Sequence, residues 1–68
     1  MKEWQIVYKS ENGPRAEIVK SILEDKELNP VLINKKDSNY HFGLYEVYVS
    51  PDNVMRALKI IQNEIEFE

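Results

Sequence analysis

The sequence predicts an α+β fold in which three strands and two helices follow one another in the order β-α-β-β-α. Three short runs carry β-branched and aromatic residues at alternating positions, which is typical of strands with one buried face. Two longer segments carry apolar residues at helical spacing, and proline-containing turns separate these two segments from the strands that come before and between them. Because 68 residues make about one small domain, we expect a single domain over residues 1–68.

The first predicted strand covers residues 4–8. Trp4, Ile6 and Tyr8 occupy every second position of this run, and aromatic and β-branched side chains are common in strands. Successive side chains of a strand point to opposite faces of the sheet. We therefore expect these three side chains to share one face.

The first predicted helix follows a group of turn-forming residues that includes Pro14, which suits a first helical turn. We expect the helix to end near Leu28, because Asn29 can adopt the left-handed conformation and Pro30 cannot continue a helix. Its apolar residues recur at helical spacing, which predicts a buried stripe. The members of this stripe are Ala16, Ile18, Val19, Ile22 and Leu23.

The second and third strands are predicted over residues 31–34 and from Leu44 to Val49, and we expect them to pair as a hairpin. Alternation along the third strand separates its residues into two sets that lie on opposite faces of the sheet. One set is Tyr45, Val47 and Val49, and the other is Leu44, Glu46 and Tyr48.

The second helix is predicted to begin at the sequence Ser50-Pro51. Ser50 is an N-cap candidate whose side chain can accept a backbone hydrogen bond, and Pro51 suits the first helical position. The apolar residues that follow recur at helical spacing and predict a second buried stripe. These residues are Val54, Ala57, Leu58, Ile61 and Ile65.

This order of elements predicts a ferredoxin-like plait with both helices on one face of an antiparallel or mixed sheet. The complete plait has a fourth strand beside the first. Residues 64–68 alternate like a strand, but Ile65 also completes the helical stripe, so we expect the fourth strand to be short or missing. The first strand would then be an exposed edge. We expect a homodimer, formed through this edge or through the open face of the sheet.

Aromatic residues on the open face of the sheet are interaction candidates: Trp4, Tyr8 and Tyr48. In RNA-recognition domains the central strands carry aromatic side chains on which bases stack, and Tyr8 and Tyr48 would serve if they shared a face. The net charge of -3 argues against nucleic acid, because binding to it depends largely on neutralising phosphates. RNA binding is therefore the lowest-ranked alternative.

Composition excludes several classes of function. The chain contains no cysteine, which excludes thiol nucleophiles, redox pairs and thiolate metal sites and is compatible with a reducing compartment. No apolar run is long enough to be a signal peptide or to span a bilayer. From these observations we expect a protein of the cytoplasm that has no membrane partner.

The segment between the second and third strands, residues 34–43, is the candidate functional loop. Hairpin connections usually take about 2 to 5 residues, and longer loops often carry function. Its lysines can engage a carboxylate or phosphate, and its aromatic residues can stack on a ligand. The alternative is a solvated turn whose polar side chains bond only to the local backbone. The candidate residues are Asn34, Lys35, Lys36, Asp37, Ser38, Tyr40 and His41.

Neither catalysis nor metal binding is indicated by this loop. Ser38, His41 and Asp37 are the residue types of a catalytic triad, but one short loop does not easily align the hydrogen bonds that a triad needs. A single histidine with Asp37 and Glu46 supplies too few ligands for a zinc site. We therefore expect a protein that is not an enzyme and that has no metal and no cofactor.

Four segments resemble a known family: residues 16–24, 31–38, 42–43 and 46–49. Over nearly its full length the chain resembles small bacterial domains of unknown function described as putative prokaryotic signal transducing proteins. Those domains are likened to the nitrogen-regulatory PII proteins by their ferredoxin-like fold. PII proteins have a longer loop between the middle strands and a complete fourth strand, so nucleotide binding of their kind is not expected here.

The resemblance implies a non-enzymatic regulatory or signal-transducing binding module, and we expect it to act through protein–protein interaction. The alternative is a small-metabolite-sensing domain whose site lies near the 34–43 loop at a dimer junction, because a domain this small does not easily enclose a ligand pocket alone. An exposed apolar sheet face would favour a protein partner.

Overall fold

The computed structural model describes residues 3–35 and 43–64, and it confirms the predicted α+β class and element order. The elements are β1 (Gln5–Ser10), α1 (Gly13–Asp25), β2 (Val31–Lys35), β3 (Leu44–Val49), a short 3-10 turn (Pro51–Asn53) and α2 (Val54–Glu64). Neither described helix is long and apolar enough to cross a membrane.

The strands form a sheet in the order β1-β3-β2, and both pairings are antiparallel. The predicted hairpin of β2 and β3 is confirmed. On the central strand β3, Val47 lies opposite Tyr8 of β1 and Leu32 of β2. The described strands and helices have the arrangement of a ferredoxin-like plait, of which three strands lie within the described residues. The predicted location of a fourth strand, residues 65–68, lies outside the described residues, and β1 is an edge of the described sheet.

The hydrophobic core lies between the helices and one face of the sheet. Val47 and Val49 of β3 are fully buried there, as the alternation along this strand predicts. Each fully buried valine or leucine stabilises the fold by about 1.5 to 3 kcal/mol, so this small cluster supplies most of the driving force for folding. The other buried members of the cluster are Val19, Leu23, Leu28 and Ala57.

A β-bulge in β1 changes which of its residues reach the core. The register shifts between Ile6 and Tyr8, so that Val7 is an extra residue relative to β3. Val7 and Tyr8 both pack against the core, whereas Ile6 lies opposite Tyr48. The prediction that Trp4, Ile6 and Tyr8 share one face is therefore wrong, because a bulge interrupts the strict alternation of a strand.

The start of α1 is fixed by side-chain hydrogen bonds. The Asn12 side chain accepts a hydrogen bond from the Arg15 backbone N–H at 3.0 Å, and the Asn12 N–H donates to the Ser10 hydroxyl at 2.9 Å. Gly13, the first residue of the helix, lies under the Tyr45 ring. A Cβ at this position would be 3.0 Å from Tyr45 Cζ, so a larger residue would require the Tyr45 ring to shift by a few tenths of an ångström.

The end of α1 is a Schellman motif. The Leu28 N–H donates to the Leu23 carbonyl at 3.1 Å, and the Glu27 N–H donates to the Glu24 carbonyl at 2.9 Å. Glu27 has a left-handed backbone, with φ of 64°. The helix thus ends at Asp25, before the expected position near Leu28, although Asn29 is left-handed as expected, with φ of 52°.

The second helix differs from its prediction in two respects. The Ser50 side chain makes no capping hydrogen bond, and the Ser50 carbonyl instead accepts from the Asn53 N–H at 2.9 Å. Ile60 packs against the core, whereas Leu58 is exposed.

On the first helix, Ile18 is predicted to be buried but is also exposed. Adjacent apolar residues on a helix cannot all face one layer, and the crossing of the helix over the sheet decides between them.

The left-handed Glu27 supplies a stability prediction. A left-handed backbone is costly for a residue with a Cβ, so Glu27→Gly is expected to stabilise the protein by about 0.5 to 1 kcal/mol in chemical denaturation. The matched control is Glu17→Gly, at an exposed position inside α1. Glycine there is expected to destabilise by about 0.5 to 1 kcal/mol. Destabilisation by both substitutions would contradict this explanation of the helix end.

Candidate functional site

The face of the sheet opposite the helices is the candidate functional site, and we call it the open face. Its members follow from the register, because residues directly opposite each other in an antiparallel pair share a face. Glu46 of β3 lies between Lys9 of β1 and Ile33 of β2, and Tyr48 lies between Ile6 and Val31. Leu44 lies opposite Lys35 and completes the set.

A buried carboxylate occupies the middle of the open face. The Glu46 side chain is only 7% exposed, although it points away from the hydrophobic core. The Tyr48 hydroxyl donates a hydrogen bond to Glu46 Oε1 at 2.8 Å, and Lys35 Nζ lies 3.7 Å from the same oxygen. A desolvated carboxylate is costly unless it is paired and hydrogen-bonded, so these two partners are what permits an acid at this position.

The two partners of Glu46 differ in strength. The hydrogen bond from Tyr48 is short and has an ionised acceptor, which makes it stronger than a bond between neutral groups. The Lys35 side chain is 61% exposed, and its distance to Glu46 is long for a charged pair. Solvent screening reduces a contact of this kind to about 0 to 1 kcal/mol. Tyr48 is therefore the stronger of these two described partners of the buried carboxylate.

This hydrogen bond changes the acidity of Tyr48. Donation to Glu46 raises the pKa of the Tyr48 phenol above its ordinary value of 10.0, and desolvation and the negative charge of Glu46 act in the same direction. The cause is that a phenolate has no proton to donate and would face a second negative charge. The phenol is therefore held in its neutral, donating form.

Apolar side chains surround this polar centre. Ile6 is 39% exposed, and Val31, Ile33, Leu44 and Tyr48 are half-buried. Apolar surface of this kind gains free energy when a partner covers it, and a central polar group fixes the position of that partner. Among the described residues no cluster of three or more histidine, cysteine or acidic side chains could hold a metal ion. The apolar side chains and the central polar group of the open face therefore suit the binding of a partner.

The structure describes only part of the predicted functional loop. Asn34 and Lys35 are the last residues of β2 and are exposed, and Lys35 contacts Glu46. Gly43, which precedes β3, is buried and left-handed, with φ of 80°. The other candidates of the loop lie outside the described residues: Lys36, Asp37, Ser38, Tyr40 and His41. Their predicted roles stay predictions.

The three aromatic candidates are separated by the fold. Tyr48 lies on the open face, as expected. Tyr8 packs against the core on the other side of the sheet, so it is not an open-face residue. Trp4 is half-buried and precedes β1. Because Tyr8 and Tyr48 lie on opposite faces, they do not form the pair of stacking aromatics on which the RNA alternative depended.

The role of Glu46 was missed in the sequence, although a signal was present. An acid between Leu44 and Tyr48 on the same face of a central strand conflicts with the apolar character of its neighbours. Acidic residues are seldom buried without a partner, so such an acid predicts a nearby donor. Tyr48, two residues further on, lies on the same face of the strand and is that donor.

Comparison with known proteins gives one match. A family model described as "putative prokaryotic signal transducing protein" matches residues 4–65, which include every described helix and strand. No curated protein and no solved structure matches the chain. The match confirms the resemblance seen in the sequence.

The hydrogen bond between Tyr48 and Glu46 predicts a pH effect. Glu46→Gln removes the carboxylate charge, so the pKa of Tyr48 is expected to fall toward 10.0 in an NMR titration of the Tyr48 ring carbon that bears the hydroxyl. Because the pKa of Tyr48 is raised in the folded state, its stabilising effect is complete below pH 10.0 and is lost as the pH rises through the folded-state value.

The matched control for this titration is Glu24→Gln, which removes an exposed carboxylate that pairs with Lys20 on α1. This substitution is expected to leave the pKa of Tyr48 unchanged, because α1 lies on the other side of the sheet. An identical Tyr48 titration in the wild type and in Glu46→Gln would show that the carboxylate does not control the phenol.

Proposed function

The chain belongs to the family described as putative prokaryotic signal transducing protein, and on that premise we propose that it is a non-enzymatic regulatory module of the cytoplasm. It acts by binding a protein partner on the open face of its sheet. The helices pack on the other face, so partner binding leaves the hydrophobic core intact. The module therefore acts on its partner through surface contacts alone, without a rearrangement of the core.

The observation that carries this proposal is the composition of the open face. Half-buried aliphatic side chains and Tyr48 surround a carboxylate that already has its hydrogen-bond donor. A partner that covers this face gains the burial of apolar area without leaving Glu46 unpaired. Tyrosine is enriched at protein interfaces because its ring is apolar and its hydroxyl can bond. Tyr48 supplies both the apolar ring and the hydroxyl at one position of the open face.

The described structure also favours the face over the edge as the binding surface. β1 is an edge of the described sheet, and an edge strand can pair with another chain. The bulge at Val7 twists this strand, and such bulges reduce edge-to-edge pairing. A second copy of the chain is one occupant that the open face would suit, and we propose a face-to-face homodimer over one formed through β1.

Metabolite sensing near the 34–43 loop is the second proposal, and Lys35 is the described residue that favours it. Its side chain is mostly exposed, and within the described part of the chain its ammonium group makes a long contact with Glu46. An anionic ligand could therefore bind the Lys35 ammonium group in place of Glu46 at a small cost in free energy. Such a ligand would change the polar centre of the open face, which would couple the loop to partner binding.

The test of the proposed function compares two isoleucines that lie on different sides of the molecule. Ile6 on the open face is 39% exposed, and Ile18 on the outside of α1 is 47% exposed. Ile6→Glu places a charge in the apolar surface, so it is expected to abolish capture of the partner from host lysate, quantified by mass spectrometry. Ile18→Glu is the matched control and is expected to retain capture.

Equal capture by the two variants would remove the open face as the binding surface. Sedimentation of both variants at micromolar concentration distinguishes a second copy from another protein, because a homodimer through the open face would dissociate in Ile6→Glu only. A wild type that captures no protein at stoichiometric amounts and sediments as a monomer would contradict the proposal.

A further inference from the structure

The outer surface of α2 carries exposed apolar side chains that the core does not use. Met55 is 78% exposed and Leu58 is 44% exposed. They lie three positions apart, which places them side by side on the helix, and Gln62 lies one turn beyond Leu58. The opposite side of α2 packs against the core through Ala57 and Ile61. The exposed stripe is therefore available to a partner without any change in the fold.

Two adjoining concavities make this surface basic as well as apolar. One has a volume of about 570 Å³ and is lined by Met55, Arg56, Leu58, Lys59 and Gln62. The other has a volume of about 340 Å³ and is lined by Lys26, Arg56, Lys59, Ile60 and Asn63. Both are open to solvent, and they share Arg56 and Lys59. We call the combined region the basic α2 surface.

Charge on the basic α2 surface is opposite to that of the whole chain. Lys26, Arg56 and Lys59 are cations, and no carboxylate is among the described residues that line the two concavities. The chain as a whole has nine basic and twelve acidic residues and a net charge of -3. A local excess of positive charge on an acidic protein attracts an acidic partner and disfavours a basic one.

We propose that the basic α2 surface binds an acidic amphipathic segment of a protein partner. Apolar side chains of the segment would cover Met55 and Leu58, and its carboxylates would face Arg56 and Lys59. A small inorganic anion would use the cations and leave the apolar stripe exposed. Methionine is flexible and polarisable and is common on surfaces that accept amphipathic helices. The amphipathic segment is the ligand that uses both features.

This surface is separate from the open face, because α2 belongs to the helical layer on the other side of the sheet. Binding at the basic α2 surface therefore does not depend on binding at the open face. A module with binding surfaces on both sides can connect two partners.

The probe for this site is a synthetic peptide with glutamate and leucine at helical spacing. It is titrated into the isotopically labelled full chain, followed by amide and methionine-methyl NMR, and its affinity is measured by fluorescence anisotropy. We expect saturable shifts centred on Met55 and Leu58. The double variant Arg56→Glu, Lys59→Glu is expected to weaken binding by roughly tenfold or more. Replacing the leucines of the peptide by alanine is expected to weaken it as well.

The matched control reverses two charges on α1 instead. Arg15→Glu, Lys20→Glu alters the net charge by the same amount and is expected to change the affinity by less than about threefold. Ile6→Glu is also expected to bind the peptide normally, which separates this test from that of the open face. Met55→Ser changes no charge and is expected to weaken binding by about threefold, so the site can be tested even if the double variant does not fold.

Three results would overturn the proposal. The first is the absence of saturable shifts on α2. The second is an equal loss of affinity in the α1 and α2 charge-reversal variants, which would mean that only net charge matters. The third is displacement of the peptide by inorganic pyrophosphate with the same shifts on α2, which would make the surface a site for small anions.

Discussion

The side chains of strand β3 alternate between two environments, which are the hydrophobic core under the helices and the open face of the sheet. Val47 and Val49 are fully buried under the helices, and Glu46 and Tyr48 lie on the face that the helices do not cover. The two described helices pack on one side of the sheet. On this other face, the hydrogen bond from Tyr48 is what allows a largely buried carboxylate to lie among aliphatic residues.

The stability of such a small domain depends on local devices as much as on the core. α1 is fixed at its start by the Asn12 side chain and at its end by the Schellman motif, in which Leu23 and Leu28 are both buried. The same motif accepts a left-handed Glu27 at some cost in free energy. The Asn53 side chain donates a hydrogen bond to the Leu28 carbonyl at 3.3 Å and links the two helical segments. These contacts stabilise the helical layer that packs against one side of the sheet. The open face is the other side of that sheet.

Sequence pattern predicted the order of the elements, the hairpin and the two faces of β3, because alternation along a central strand follows directly from its two different environments. It did not predict the bulge at Val7, since an extra residue in a ladder depends on how the strand meets its neighbour. It also placed Leu58 in the core instead of Ile60, because helical spacing alone does not fix the rotation of α2 over the sheet. The basic α2 surface follows from that rotation and so was not foreseen.

Isoleucine methyl groups report on both sides of the molecule, so they measure most directly whether the open face binds the partner. Ile6 and Ile33 lie on the open face, and Ile18 lies on the outside of α1. Methyl NMR of the labelled chain in host lysate should show chemical-shift changes of the Ile6 and Ile33 signals, with the shift of Ile18 unchanged. Equal shift changes at all three positions, or a shift change at Ile18 alone, would contradict the assignment of the open face as the binding surface.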